Sequence, residues 1–173
     1  MTTVLWLTHA HARTIIEHAR EDAPNEACGL ILGDGHRVTQ IIPAQNIAAD
    51  PRHHFRVDDA LVVQHFSQII GVYHSHPRSA PVPSSTDRQE SCYPDFIHVI
   101  VGLQDESPRL AAWRIRYGRV DSIQIHIDDR PPVNVPQQLT AAQQVALVIG
   151  TLAAVLVVLL ISLMLLPPAP TIP

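Results

Sequence analysis

The sequence predicts an α+β domain, in which helices flank a mixed sheet, followed by one membrane-spanning helix. Three observations carry that reading. Near the start, Ala12, Ile15, Ile16 and Ala19 fall on one face at helical spacing. Farther on, short apolar or alternating runs are bounded by turn residues. The clearest sets Ile123, Ile125 and Ile127 against Gln124, His126 and Asp128, the period of a half-buried strand. Last, 145–166 is a run of 22 residues without one charge.

Taken in order, 8–20 reads as a helix. A strand at 27–32 follows, closed by Gly33-Asp34-Gly35, whose glycines supply the positive φ of a hairpin, with 38–42 as its partner. A short strand is expected at 55–57. Asp58 or Asp59 caps a helix to about residue 68, and 69–74 is a mostly apolar strand. Ser85 or Thr86 caps a short helix at 87–92. Strands at 97–103, 110–116 and 120–127 complete the domain, the last two joined at Tyr117-Gly118. There is no internal repeat and no nucleotide-binding glycine pattern.

Composition narrows the function. A chain of 173 residues holds one domain with a real core plus something small. A net charge of -4 gives no nucleic-acid footprint. All 12 basic residues are arginine, a bias that GC-rich codons explain. Cys28 and Cys92 form neither a disulfide framework nor a thiolate zinc site and read as buried free thiols, although Cys28 stands close enough to Glu26 for a redox effect to be conceivable. Of the 11 histidines, His9, His11 and His18 are expected on the solvated face of the first helix. His53 and His54 form a pair beside an aromatic residue, a candidate second metal site.

The chemistry concentrates in His74-Ser75-His76-Pro77 and, after a spacer, Ser84-Ser85-Thr86-Asp87. Two histidines one residue apart share a face at the end of a strand, because side chains alternate. Asp87 can return to them on a loop and helix start. Two His and one Asp, with a fourth position for water, are the ligand set of a catalytic zinc site. Ser84 also reads as a turn or helix cap, with Ser85 and Thr86 as rivals.

The whole string resembles the JAMM (MPN-plus, Mov34/PAD-1-like) metalloprotease motif: an upstream Glu, then His-x-His-Pro, then Ser-x-x-Asp. Glu26, in Pro24-Asn25-Glu26-Ala27-Cys28-Gly29-Leu30, matches the upstream acid. The stretch from Asn46 to Phe55 is similar to that of compact bacterial members, and the likeness covers roughly residues 8–127. The resemblance implies an α-β-α sandwich with the metal at one sheet edge. It implies Zn2+ on His74, His76 and Asp87, Glu26 as the general base and Ser84 as the oxyanion donor. It further implies that the substrate is the amide after the C-terminal Gly-Gly of a ubiquitin-like or sulfur-carrier protein. A deubiquitinase-like isopeptidase, or a silent scaffold at a membrane, are the alternatives. Only roughly thirty residues separate the early hairpin from the His-x-His strand, leaving little room for the insertions of the deubiquitinating relatives.

The uncharged run would span about 33 Å as a helix, enough for a hydrocarbon core of about 30 Å. The prolines of 128–144 make that stretch an extended linker. The expected organisation is therefore a catalytic domain at 1–127, a linker at 128–144, a membrane helix at 145–166 and a short tail at 167–173. Met1-Thr2-Thr3 has no basic n-region and Val4 to Leu7 is too short for a signal core. The expected layout is a tail anchor with the catalytic domain in the cytoplasm. Arg130, on the domain side of the run, agrees with that orientation.

Overall fold

The computed structural model describes residues 4–89 and 95–130, together with 157 and 158. The chain divides into two compact units, Met1–Pro132 and Val133–Pro173, and the fold below is that of the first. The expected membrane run and tail, and the linker from 131 onward, lie outside the described residues apart from Val157 and Val158; so does Cys92. No helix among the described residues is long and apolar enough to cross a membrane.

In chain order the elements are β1 (Val4–Leu7), α1 (His9–Asp22), β2 (Cys28–Asp34), β3 (Arg37–Ala44) and α2 (Asp59–His65). A 3₁₀ turn (Phe66–Gln68) leads to β4 (Ile69–His76), α3 (Ser85–Gln89), β5 (Ile97–Gly102), β6 (Arg109–Arg116) and β7 (Arg119–Ile127). The strands form one mixed sheet in the order β1-β3-β2-β4-β5-β6-β7. Strands β4 and β5 run parallel, while β2 is antiparallel to both its neighbours.

Helices do lie on both faces. Ile15, Ile16 and Ala19 of α1 pack with Ile31, Tyr73, Val99 and Val101 on one side. Leu61 and Val62 of α2 pack with Cys28, Leu30, Val57 and Val72 on the other. Each large apolar side chain buried this way contributes about 1.5–3 kcal/mol. Thr8 caps α1 in a reciprocal box with His11, and Asp58 caps α2 through the amide of Ala60.

Several expectations need correction. The expected sandwich with a metal at a sheet edge is instead a closed barrel: β1 pairs in parallel with β7, so no described strand is an edge, and the histidines lie at the end of β4 between β2 and β5. Val4–Leu7 is thus a strand; four residues show no usable period, and the partner is remote in sequence. Residues 55–57 are not a strand. In the hairpin only Gly35, at φ 60°, uses the left-handed region. Gly33 is there for close approach, since a Cβ would lie 2.2 Å from the Arg37 carbonyl oxygen. The short helix begins at Ser85 and follows Ser84, so neither Ser85 nor Thr86 is its cap. His18 is not simply solvated: its Nδ1 lies 2.8 Å from the hydroxyl of buried Tyr73 and its Nε2 3.4 Å from Asp22.

Tyr73 also explains Gly29. A Cβ on Gly29 would sit 2.3 Å from the Ile42 carbonyl oxygen and 2.5 Å from the Tyr73 ring. We expect Gly29→Ala to lower stability by about 1–3 kcal/mol through overpacking. The measurement is the urea midpoint at unchanged m. A midpoint equal to that of the parent would show that the ring does not seal this part of the core.

Candidate metal and catalytic centre

Strand β4 delivers both histidines. Alternation puts Val72, His74 and His76 on one face and Tyr73 and Ser75 on the other. Antiparallel pairing sets Cys28 opposite His74. The register is prolonged by Ala27, whose carbonyl accepts from the Ser75 amide at 2.9 Å and whose amide donates to Ser75 Oγ at 2.9 Å. One step farther, Glu26 comes level with His76. The sequence places these residues 48 or more positions from Glu26; the ladder makes them neighbours.

The loop after β4 is clamped from the next strands. The Leu103 amide donates to the His76 carbonyl at 3.1 Å, and Trp113 Nε1 donates to the Pro81 carbonyl at 2.9 Å. Gly102 lets the loop approach, since a Cβ there would meet the Pro81 ring at 2.6 Å. Trp113 is thus more than core packing, although nothing in its sequence context marks it. The loop ends in a capping box: the Ser84 amide donates to Asp87 Oδ2 at 2.7 Å, and the Asp87 amide donates to Ser84 Oγ at 3.1 Å. Ser84 is the cap and Asp87 its partner three residues on. The box aims the Asp87 carboxylate at the histidines.

Three ligand atoms converge. His74 Nε2 and His76 Nε2 are 3.1 Å apart, and Asp87 oxygens lie 3.3 Å and 3.4 Å from them respectively. Bonds of about 2.0–2.1 Å to a tetrahedral zinc ion would separate ligand atoms by about 3.3–3.4 Å. The two His–Asp distances reach different oxygens of Asp87, and one ligand atom from each residue lies within 4.8 Å of the other two, close enough to share such an ion. The donor chemistry of the cluster agrees. His76 Nδ1 donates to the Ala80 carbonyl at 3.1 Å; burial would lower the His76 pKa, but Asp87 outweighs it and raises it, favouring a hydrogen on Nε2 in the metal-free protein that a bound metal would replace. His74 is fully buried under Phe55, with ring centroids 4.3 Å apart and planes 10° from parallel. Burial lowers its pKa and keeps it neutral, the form a metal needs. Among the described residues, no other His, Cys, Asp or Glu group gathers three ligands this closely. The His53–His54 pair in particular builds no second site: His53 turns to Asp50 at 2.9 Å.

The electrostatics separate the two carboxylates. Burial alone would raise the pKa of Asp87, but hydrogen bonds to His74 and His76 outweigh it and hold Asp87 well below the usual carboxylate range. Glu26 goes the other way. It is 8% exposed, and burial pushes its pKa from the ordinary 4.5 up to about 7. Nearby His76 opposes the rise; Asp87 and Asp50 add to it. Asp87 is thus a permanent anion and Glu26 a carboxylate that exchanges a proton near neutrality. The Cys28 thiol is pushed up to about 12 by burial, which argues against the redox role considered for it.

The predicted residues Glu26, His74, His76, Ser84 and Asp87 are all brought to this end of β4. What sequence reasoning missed is their support: Ser75 between the histidines, Pro81 and Trp113 behind the loop, and Asn46. Asn46 Nδ2 donates to the carbonyls of Glu26 at 2.8 Å and His54 at 2.9 Å.

Comparison with known proteins agrees with this geometry. The family described as prokaryotic homologs of the JAB domain matches residues 8–116. A desampylase of Haloferax volcanii is 39% identical over 100 residues, 50% of this chain and 72% of that protein. A CysO-cysteine peptidase of Mycobacterium tuberculosis is 30% identical over 134 residues, 72% of this chain and 86% of that protein. A solution structure from Desulfitobacterium hafniense superposes with a TM-score of 0.66 at 26% identity, covering 76% of this chain and 97% of the other. The matched span runs from α1 to the end of β6 and so includes every element that builds the cluster. On that ground the chain belongs to the prokaryotic homologues of the JAB domain, the compact prokaryotic JAMM/MPN family, and is a hydrolase of the peptidase type.

Proposed function

We propose that this protein is a zinc-dependent peptidase that hydrolyses the amide after the C-terminal Gly of a ubiquitin-like or sulfur-carrier protein. The convergence of His74, His76 and Asp87, one ligand atom from each within 4.8 Å of the others, carries the metal assignment. The names of the desampylase and CysO-cysteine peptidase relatives support the substrate class. Bound there, zinc would supply a Lewis acid and a water acidic enough to lose its proton near neutral pH. The chain's own residues do the rest. Glu26, buried beside His76, accepts that proton and returns it to the leaving amine. Asp87 stays ionised and keeps the site's charge fixed. Ser84 Oγ accepts from the Asp87 amide, which leaves its hydroxyl hydrogen free to donate to the oxyanion of the tetrahedral intermediate.

The 22-residue uncharged run at 145–166 supports a membrane anchor, with the catalytic domain on the cytoplasmic side. Truncation after Pro136 is expected to move the protein from the membrane pellet to the supernatant with its activity retained. A truncated protein that aggregates would make the run part of the fold.

The function is tested with the zinc-loaded full-length chain and a panel of conjugates: sulfur carrier–cysteine, sulfur carrier–protein and ubiquitin–lysine. The expected result is cleavage after Gly-Gly, with the highest kcat/KM on a sulfur-carrier conjugate. His76→Ala should lose zinc and activity together. Cleavage of unrelated short peptides with none of the conjugates cut would refute the substrate assignment, and full zinc occupancy in His76→Ala would refute the metal site.

Glu26→Gln should keep zinc and lose about 10²–10⁴-fold in kcat, and Ser84→Ala about 10²–10³-fold. The Glu26 assignment has a second readout in the metal-free protein. With a folded pKa near 7 against 4.5, the native state holds an extra proton between those values. This group therefore favours folding at low pH, and its contribution falls as pH rises from about 4.5 to about 7. Relative to the parent, Glu26→Gln should gain stability across that window, by about 1–3 kcal/mol above pH 8 after discounting for solvent screening. A pH-independent difference in urea midpoints would show that Glu26 is not held in a desolvated position.

A further inference from the structure

We infer that Asn46 is a positioning residue for Glu26, fixing the base through its backbone. The inference rests on the reading of Glu26 as the proton acceptor of a hydrolytic site. Glu26 lies just before β2, where the sheet ladder no longer holds it; Ala27 takes the last bonds from Ser75. Both backbone groups of Glu26 instead end on one irregular segment. Its amide donates to the Pro51 carbonyl at 2.7 Å, and its carbonyl accepts from Asn46 Nδ2 at 2.8 Å.

Asn46 is what shapes that segment. Its second amide hydrogen goes to the His54 carbonyl at 2.9 Å, and its Oδ1 accepts from the amides of Ala48 and Arg56, each at 3.0 Å. A carboxamide has two donor hydrogens and two acceptor lone pairs, and here all four are used. Residues 48–58 have neither helix nor strand to order them. Asn46 reinforces the Ile47 amide–Arg56 carbonyl bond (3.0 Å) that closes the segment, and adds a second tie to Glu26 beside the Pro51 carbonyl. The same segment carries Phe55, whose ring lies on His74. Asn46 thus sets the base and the cover of a histidine relative to one another. A base displaced by about 1 Å can lose on the order of 10²-fold in rate, so this backbone tie bears on turnover without touching substrate.

The test is Asn46→Ala in the full-length chain, alone and with Glu26→Gln, on the best-cut conjugate. The expected result is unchanged zinc stoichiometry, a kcat about 10–100-fold lower and a KM within about threefold of the parent. In the Glu26→Gln background the same substitution should change kcat by less than about twofold, because the group it positions is already gone. Amide hydrogen exchange of the metal-free protein gives a readout independent of activity. The Glu26 amide should exchange at least about tenfold faster in Asn46→Ala, while Leu30 and Val72 in the ladder keep their protection. An equal kcat loss in both backgrounds, an unchanged kcat or an unchanged Glu26 exchange rate would each overturn the inference. Should Asn46→Ala fail to fold, Asn46→Asp replaces it: the carboxylate still accepts from Ala48 and Arg56 but cannot donate to Glu26. If the parent binds zinc yet cuts no conjugate, the functional reading fails, and the exchange measurement alone decides the role of Asn46.

Discussion

The antiparallel ladder between β2 and β4 is the constraint on which the rest depends. Its register sets Cys28 opposite His74 and brings Glu26 level with His76. A slip of one residue would turn both histidines to the face of Tyr73 and α1 and leave Asp87 without its two imidazole partners. The register is secured from both sides of the sheet. Leu30 and Val72 bury on the face shared with the histidines; Ile31 and Tyr73 bury on the other. Packing that looks purely structural is therefore what holds the candidate ligands in place.

A second layer of bonding converts that register into a site. The ends of β5 and β6 hold the loop after β4 through Leu103 and Trp113, and the capping box of Ser84 and Asp87 fixes where the loop returns. On the opposite side Pro51 and Asn46 take the backbone of Glu26. Almost every support is a bond to the main chain. Main-chain anchoring leaves the side chains free for chemistry, and it keeps a buried His, His, Asp and Glu group in order despite the cost of burying polar atoms.

Burial also sorts the two acids. Asp87 is desolvated as Glu26 is, but hydrogen bonds to two imidazoles more than compensate, and it stays ionised. For Glu26 burial outweighs the opposing His76, and its pKa rises toward neutrality. Environment alone thus separates the two carboxylates, which is the separation the proposed acid–base roles call on.

The sequence by itself determined the motif residues, the alternation that puts His74 and His76 on one face, the helical stripe of α1 and most strand positions. These are local properties, set by period and by residue type. It also displayed the uncharged run at 145–166, since length and hydropathy need no partner to be read. Only the tertiary structure decided that Val4–Leu7 is a strand closing the sheet onto β7, that Ser84 caps the helix beginning at Ser85, and that His18 reaches Tyr73. It alone brought Glu26 to the histidines and gave Asn46 four partners. Each of these is a pairing between segments far apart in the chain or a choice among equivalent side chains. Such choices are made by register and burial, to which no local pattern in the sequence is sensitive.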